Sequence, residues 1–320
     1  METKMHRRGF LNLLVAGAAV AGGRRAEAQL ENLLGLGEQL LEQHVDPAVL
    51  KALRSGDPTR MSQVLSQLSE ELQGDQVVDL ASFREVADLA LPLLEKSPQT
   101  RAYAPWLRAR LDYFKVAEKF RAAGPASGTK PAPGGTPPSV PNPTPAQERQ
   151  AWQAQVSGQA APRGASTWVP RLKPVLREAG VPPELVWLAE IESSFDPTAR
   201  SPAGAVGMFQ LMGPTARSLG LKLEPRDERL VPESNARAAG KYLRSLHGQF
   251  KEWRLALAAY NAGPGRVSDL LKRRRATSFD AIAPSLPAET QMYVPKFEAV
   301  LKRREGLTLA ALKLPAKPRG

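Results

Sequence analysis

Apolar side chains recur every three or four positions along most of this 320-residue chain, the period of an amphipathic helix. In the first half, Leu30, Leu33, Leu34, Leu40 and Leu41 share one face, and Asp46-Pro47 opens a stretch carrying Val49, Leu50 and Leu53. Gly56-Asp57-Pro58 breaks that stretch. Met61, Val64, Leu65, Leu68 and Leu72 then keep helical spacing. Val86, Leu89, Ala90, Leu93 and Leu94 form a further stripe interrupted by Pro92, and Trp106, Leu107, Leu111, Phe114 and Phe120 form the last. This pattern predicts a small all-α domain over residues 29–122, with helix packing as its only visible chemistry. Residues 123–147 change character: Gly124 to Pro145 reads GPASGTKPAPGGTPPSVPNPTP, too poor in apolar residues to fold and kept extended by proline, and is expected to be a linker.

Helical patterning resumes over residues 148–305, the second expected domain. Residues 168–180 lead into the stretch V-P-P-E-L-V-W-L-A-E-I-E-S-S-F-D-P at 181–197. Pro182 and Pro183 suit a helix start, and Pro197 suits its end. Leu185 and Leu188 stand seven and four residues before Glu192, so the three share a face, while Glu190 points elsewhere. A carboxylate that continues an apolar stripe is partly desolvated, which raises its pKa and suits it to general acid work. A rim glutamate reaching out to water would give the same spacing, and the neighbouring motifs must decide. Residues 201–207, S-P-A-G-A-V-G, form a glycine-containing loop. In the M-F-Q-L-M run that follows, Gln210 is a polar residue among apolar ones and is expected to hydrogen-bond a backbone group or a ligand. Residues 235–250 read as a clear amphipathic helix, and a second, from Glu252, stops at Asn261-Ala262-Gly263-Pro264-Gly265, which sets Tyr260 and Asn261 at a helix end. A last helix opens near Leu286-Pro287, with Glu289 and Tyr293 four apart on one face.

Composition narrows the chemistry. There is no cysteine, which excludes disulfides, thiolate metal sites, a cysteine nucleophile and a lipid-bearing cysteine. His6, His44 and His247 are scattered, so no metal site is expected, and no cofactor motif occurs. The formal charge of +12 suits an anionic partner such as nucleic acid, anionic lipid or an acidic cell-wall polymer. Residues 1–28 read as an export signal: Arg7-Arg8-Gly9-Phe10-Leu11 fits the twin-arginine pattern, a mildly apolar segment follows, and Ala26-Glu27-Ala28 offers a cleavage site. This predicts a bacterial envelope location with no membrane-spanning segment once the signal is removed, and it argues against a nucleic-acid partner. Residues 306–320 are expected to be a basic tail.

Four short motifs stand in order: Glu192-Ser193, Gly207-Met208-Phe209-Gln210, Ala259-Tyr260-Asn261-Ala262-Gly263 and Glu289-Thr290-Gln291-Met292-Tyr293-Val294. Together they resemble the motifs of the SLT-type lytic transglycosylases, and residues 286–296, L-P-A-E-T-Q-M-Y-V-P-K, are most similar to the membrane-bound lytic transglycosylase D branch. The resemblance covers about half the chain. It implies a mainly α, lysozyme-like fold and cleavage of peptidoglycan glycan strands with Glu192 as the single acid and base. It further implies that Tyr260 hydrogen-bonds near Glu192, that Gln210, Asn261 and Ser201 hold sugars, that Met212 packs on a ring, and that Glu289 contacts the sugar or its peptide, with Tyr293 grouped among these substrate-side residues. Gly207–Gln210 reads G-M-F-Q where the family often has G-L-M-Q, Gly213-Pro214 replaces the commoner Pro-Gly, and glycan-binding LysM repeats are not found. Two rivals remain at this point: a hydrolytic muramidase in which Asp196, Asp227 or Glu289 activates water, and a non-catalytic peptidoglycan-binding protein.

Overall fold

The computed structural model describes residues 58–123 and 141–316. The expected signal, the helices proposed before residue 57 and most of the proline-rich stretch therefore lie outside the described residues. The described residues belong to one compact unit. It is built of helices α1 (Pro58–Leu72), α2 (Arg84–Lys96), α3 (Ala104–Ala123), α4 (Pro145–Ser157), α5 (Ala165–Glu178), α6 (Leu188–Ser193), α7 (Gly213–Ser218), α8 (Pro232–Phe250), α9 (Trp253–Ala262), α10 (Pro264–Arg274), α11 (Phe279–Ile282) and α12 (Ala288–Glu305), with short 3₁₀ turns between some of them. The fold is mainly α. Among the described residues the only β pairing is a pair of isolated bridges, Arg200 with Val206 and Val206 with Leu211.

The apolar stripes do what their spacing requires. Met61, Val64, Leu65, Leu68 and Leu72 of α1 are all buried, as are Val86, Ala90 and Leu94 of α2. Pro92 sits inside α2 on an exposed position without ending it. In α3 the buried face runs through Trp106, Leu107, Arg110, Phe114 and Ala117, and Leu111 and Phe120 are only half-buried. Helix α4 begins with a reciprocal cap: Thr144 accepts from the Gln147 amide, and the Gln147 side chain accepts from the Thr144 N–H. Just before it, Asn142 accepts from the Val77 N–H at 2.7 Å and donates to the Asp75 carbonyl at 2.5 Å.

Two packings position the site. Helix α3 lies against α6, and α12 runs between α4 and α9. The early helices thus share a core with the later ones, and the described part of the expected tail adds buried Leu309 and Leu312 to it. No described helix is long and apolar enough to cross a membrane.

Candidate active site

Glu192 ends a short helical passage. Residues 183–187 make a 3₁₀ turn opened by Pro183, and α6 follows immediately. Leu185 and Leu188 are fully buried beneath it, and Glu192 is 4% exposed, as its place on their face requires. Glu190 turns away and pairs with Arg304 at 2.8 Å. The helix stops at Ser194 and Phe195, both left-handed, two residues ahead of Pro197. Ser193 fixes that end: its hydroxyl donates to the Met208 carbonyl at 2.8 Å and the Ala189 carbonyl at 3.3 Å.

The Ser193 bond joins α6 to the 199–212 loop, which is braced from within. Gly207 has φ +87°, and a Cβ there would fall 2.0 Å from the Arg229 carbonyl oxygen, so only glycine fits. Asn235 accepts from the Phe209 N–H at 2.7 Å. Arg229 donates to the Gly204 and Leu211 carbonyls while Asp227 holds its guanidinium at 2.8–3.0 Å. Gln210, itself at φ +47°, donates its amide to the Gly207 and Ala199 carbonyls and keeps Oε1 without a partner. The Ser201 hydroxyl accepts from the Ala205 N–H at 2.9 Å. Gln210 and Ser201 thus shape the loop.

Helices α9 and α12 close the ring. Tyr260 is half-buried, and its hydroxyl donates to the Phe209 carbonyl at 2.7 Å. Asn261 accepts from the Thr290 hydroxyl at 2.5 Å, next to Glu289. It is Tyr293, fully buried, that donates to Glu192, at 2.7 Å to Oε1. The direct tyrosine partner of the acid is therefore Tyr293 and not Tyr260, and the burial of Tyr293 makes it a support for the acid in this structure rather than a sugar contact. Glu289 is also buried, facing Arg110 at 2.8 Å and accepting from the Gln73 amide at 3.3 Å. Met212 is exposed at the start of α7.

Arg110 of α3 is the residue that the sequence patterning passed over. Its Nη2 lies 3.6 Å from Glu192 Oε2 and 2.8 Å from Glu289 Oε1, and its Nη1 donates to the Glu192 carbonyl at 3.3 Å. The signal was present: Trp106, Arg110 and Phe114 are four apart, so the arginine continues an apolar stripe just as Glu192 does.

The electrostatics follow from burial. Desolvation pushes Glu192 from its ordinary 4.5 up to about 7, against the pull of Arg110 and the Tyr293 hydrogen bond, with the Glu289 charge adding to the rise. Burial lifts Tyr260 and Tyr293 well above 10, helped by the Glu192 charge, so both stay hydroxyl donors. Burial opposes the charge of Arg110, yet Glu289 and Glu192 more than offset it, and its pKa is raised. Of the other acids weighed from the sequence, Asp196 accepts from Thr198 in a turn. Asp227 is held below its usual range, the Arg229 hydrogen bonds outweighing the upward push of burial. Among the described residues no cluster of three or more His, Cys, Asp or Glu could hold a metal.

Glu192 is thus a buried, protonatable carboxyl joined through Ser193 to a braced polar loop, a group able to act as a general acid. Residues 173–283 match the Transglycosylase SLT domain. Similar proteins include the membrane-bound lytic murein transglycosylase D of Escherichia coli (strain K12), 39% identical over 129 residues, which make up 39% of this chain and 28% of that protein. The soluble lytic murein transglycosylase of Salmonella typhimurium (strain LT2) is 40% identical over 116 residues, 33% of this chain and 18% of that protein. Among solved structures, the 70 kDa soluble lytic transglycosylase from Escherichia coli aligns with a TM-score of 0.39 at 17% identity, covering 97% of this chain and 59% of that one. The chain thus spans less than a third of the length of these two sequence relatives. Arg110, Glu289 and Tyr293 all lie outside the matched 173–283 segment.

Proposed function

We propose that this protein is a peptidoglycan lytic transglycosylase of the bacterial cell envelope, with Glu192 as its single acid and base. The observation that carries the reading is the state of Glu192: buried, raised to about 7, and held by Tyr293 at 2.7 Å. Near neutral pH such a group exists in both protonation states, which suits a residue that must first give and then take a proton. In the first step Glu192 protonates the glycosidic oxygen between N-acetylmuramic acid and N-acetylglucosamine, and the C1–O bond breaks. In the second, the carboxylate accepts the proton of the muramyl 6-hydroxyl, whose oxygen bonds to C1 and closes a 1,6-anhydro ring. No water is consumed. The attacking hydroxyl belongs to the same sugar, so its approach carries little further entropic cost.

The remaining side chains have supporting work. Tyr260 and Gln210 hold the 199–212 loop through the Phe209, Gly207 and Ala199 carbonyls. Asn261, half-buried at the end of α9, and exposed Met212 are the residues left accessible for sugar contact. The hydrolytic rival draws its support from Glu289, a second carboxylate bound to the same guanidinium as Glu192. Asp196 and Asp227, engaged in a turn and with Arg229, offer it nothing. The test is Glu192→Gln on purified sacculi. The amide has the same shape and no transferable proton, so the fold should persist while glycan release stops. Near-native release would overturn the assignment.

A further inference from the structure

The guanidinium of Arg110 reaches the catalytic glutamate from a helix outside the SLT match, and what it does there goes beyond packing. We propose that Arg110 is a positioning residue for Glu192, fixing the acid's main chain and side chain together and setting the charge against which its proton is held. The proposal rests on the function proposed above and extends the working site to α3. Three observations support it. First, the contact is two-point: Nη1 donates to the Glu192 carbonyl at 3.3 Å, and Nη2 faces the carboxylate at 3.6 Å. An arginine that served only to satisfy charge would not need the main-chain oxygen of the same residue. Second, Nη2 is shared with Glu289 at 2.8 Å, so a second acid competes for the cation and grades its pull on Glu192. Third, the arginine is itself held: it donates to the Trp106 carbonyl at 3.4 Å and lies 5.0 Å from the Trp106 ring, while Lys296 of α12 bonds the neighbouring Ala109 carbonyl.

The chemistry follows. When Glu192 releases its proton, negative charge grows beside a guanidinium that stays cationic throughout the working range. The groups facing Glu192 are Arg110 and Tyr113 from α3, Tyr260 from α9, and Glu289 and Tyr293 from α12. The tyrosines remain neutral because burial lifts each well above 10. Lys296, which faces Arg110, is brought down by burial to about 8 and so loses its proton within the same range. A readout specific to Glu192 is therefore needed beside activity.

The experiment follows the side-chain carboxyl resonance of Glu192 by NMR across pH in the full chain labelled with ¹³C-glutamate. It compares wild type, Arg110→Lys, Arg110→Gln and Glu289→Gln, with release from sacculi measured in parallel. Removing the cation should raise the Glu192 titration by about one unit or more. Lysine should restore most of that shift, and Glu289→Gln should move the titration the opposite way, because it removes a repelling carboxylate. In Arg110→Gln, kcat should fall about tenfold or more with KM little changed. A Glu192 titration unmoved in both Arg110→Gln and Glu289→Gln would overturn the proposal, even if activity were lost, since that loss would then be structural. If Arg110→Gln does not fold, Glu289→Gln decides the matter by the same criterion: a Glu192 titration unmoved there overturns the proposal. Absence of release by wild type would instead count against the proposed function, while the titration shifts would still judge the Arg110 coupling.

Discussion

Tyr293→Phe isolates the hydrogen bond on which the acid depends. Phenylalanine keeps the ring in a fully buried site and removes only the hydroxyl that donates to Glu192 Oε1 at 2.7 Å. A buried hydrogen bond to a charged group contributes about 1.5–3 kcal/mol. The neutral acid also accepts this bond, so the difference between protonation states is smaller, about 1–1.5 kcal/mol, or about one pKa unit. Tyr293 favours the charged form, so its loss should carry Glu192 from about 7 to about 8. A general acid works while protonated, and the alkaline limb of kcat should therefore move up by about one unit. At pH 7 the protonated fraction would rise from about one half to about nine-tenths, a gain of less than about twofold. The released carboxyl also loses its orientation, which costs more than that gain, so kcat at pH 7 should fall about tenfold. The assay is initial release from sacculi as a function of pH, with circular dichroism to establish that the variant is folded. A limb that stays in place, or moves down, in a folded variant would refute the reasoning.

Two further outcomes follow from the same structure. Glu148 is buried, accepts from the Trp152 indole N–H at 3.1 Å, and is raised by desolvation from 4.5 to about 8. Between those pH values the folded chain keeps a proton that the unfolded chain has lost, so the stability from this group is complete below about pH 4.5 and fades as pH rises to about 8. The ceiling is about 5 kcal/mol, with a few kcal/mol expected. Glu148→Gln should remove that slope in urea melts, and parallel pH curves for the two proteins would contradict it. Gly207→Ala forces a Cβ against the Arg229 carbonyl at φ +87° and should destabilise the fold by about 3 kcal/mol or more, with loss of release. A melting temperature unchanged from wild type would show that the loop is not constrained there.

The face that carries Glu192 was legible because helical spacing is local. Leu185, Leu188 and Glu192 needed only a period of 3.6 to be set together, and burial of all three follows from it. The order of the four motifs likewise put Glu192, Gln210, Tyr260 and Glu289 in one neighbourhood. Which hydroxyl meets which oxygen was not legible, because it depends on how α9 and α12 pack: Tyr260 bonds the Phe209 carbonyl, and Tyr293 takes the acid. The division at the proline-rich stretch concealed the largest feature. A composition shift marks where a chain cannot fold locally, and it carries no information about whether helices on either side meet. Arg110 and Lys296 were readable in principle as charges on apolar stripes, between Trp106 and Phe114 and between Met292 and Val300. Their partners, Glu289, Glu192 and the Ala109 carbonyl, lie 82 to 187 residues away in sequence or in another motif, beyond the reach of any local pattern.

The most direct test of the central claim is the mass of what the folded chain releases from purified sacculi, with Glu192→Gln alongside as the inactive control. If the buried glutamate serves both half-reactions and the sugar closes on itself, wild type should yield muropeptides one water lighter than the hydrolysed species, and Glu192→Gln should yield none. Products carrying the added water and a reducing end would contradict the account and point to Glu289 as the partner of a hydrolytic reaction.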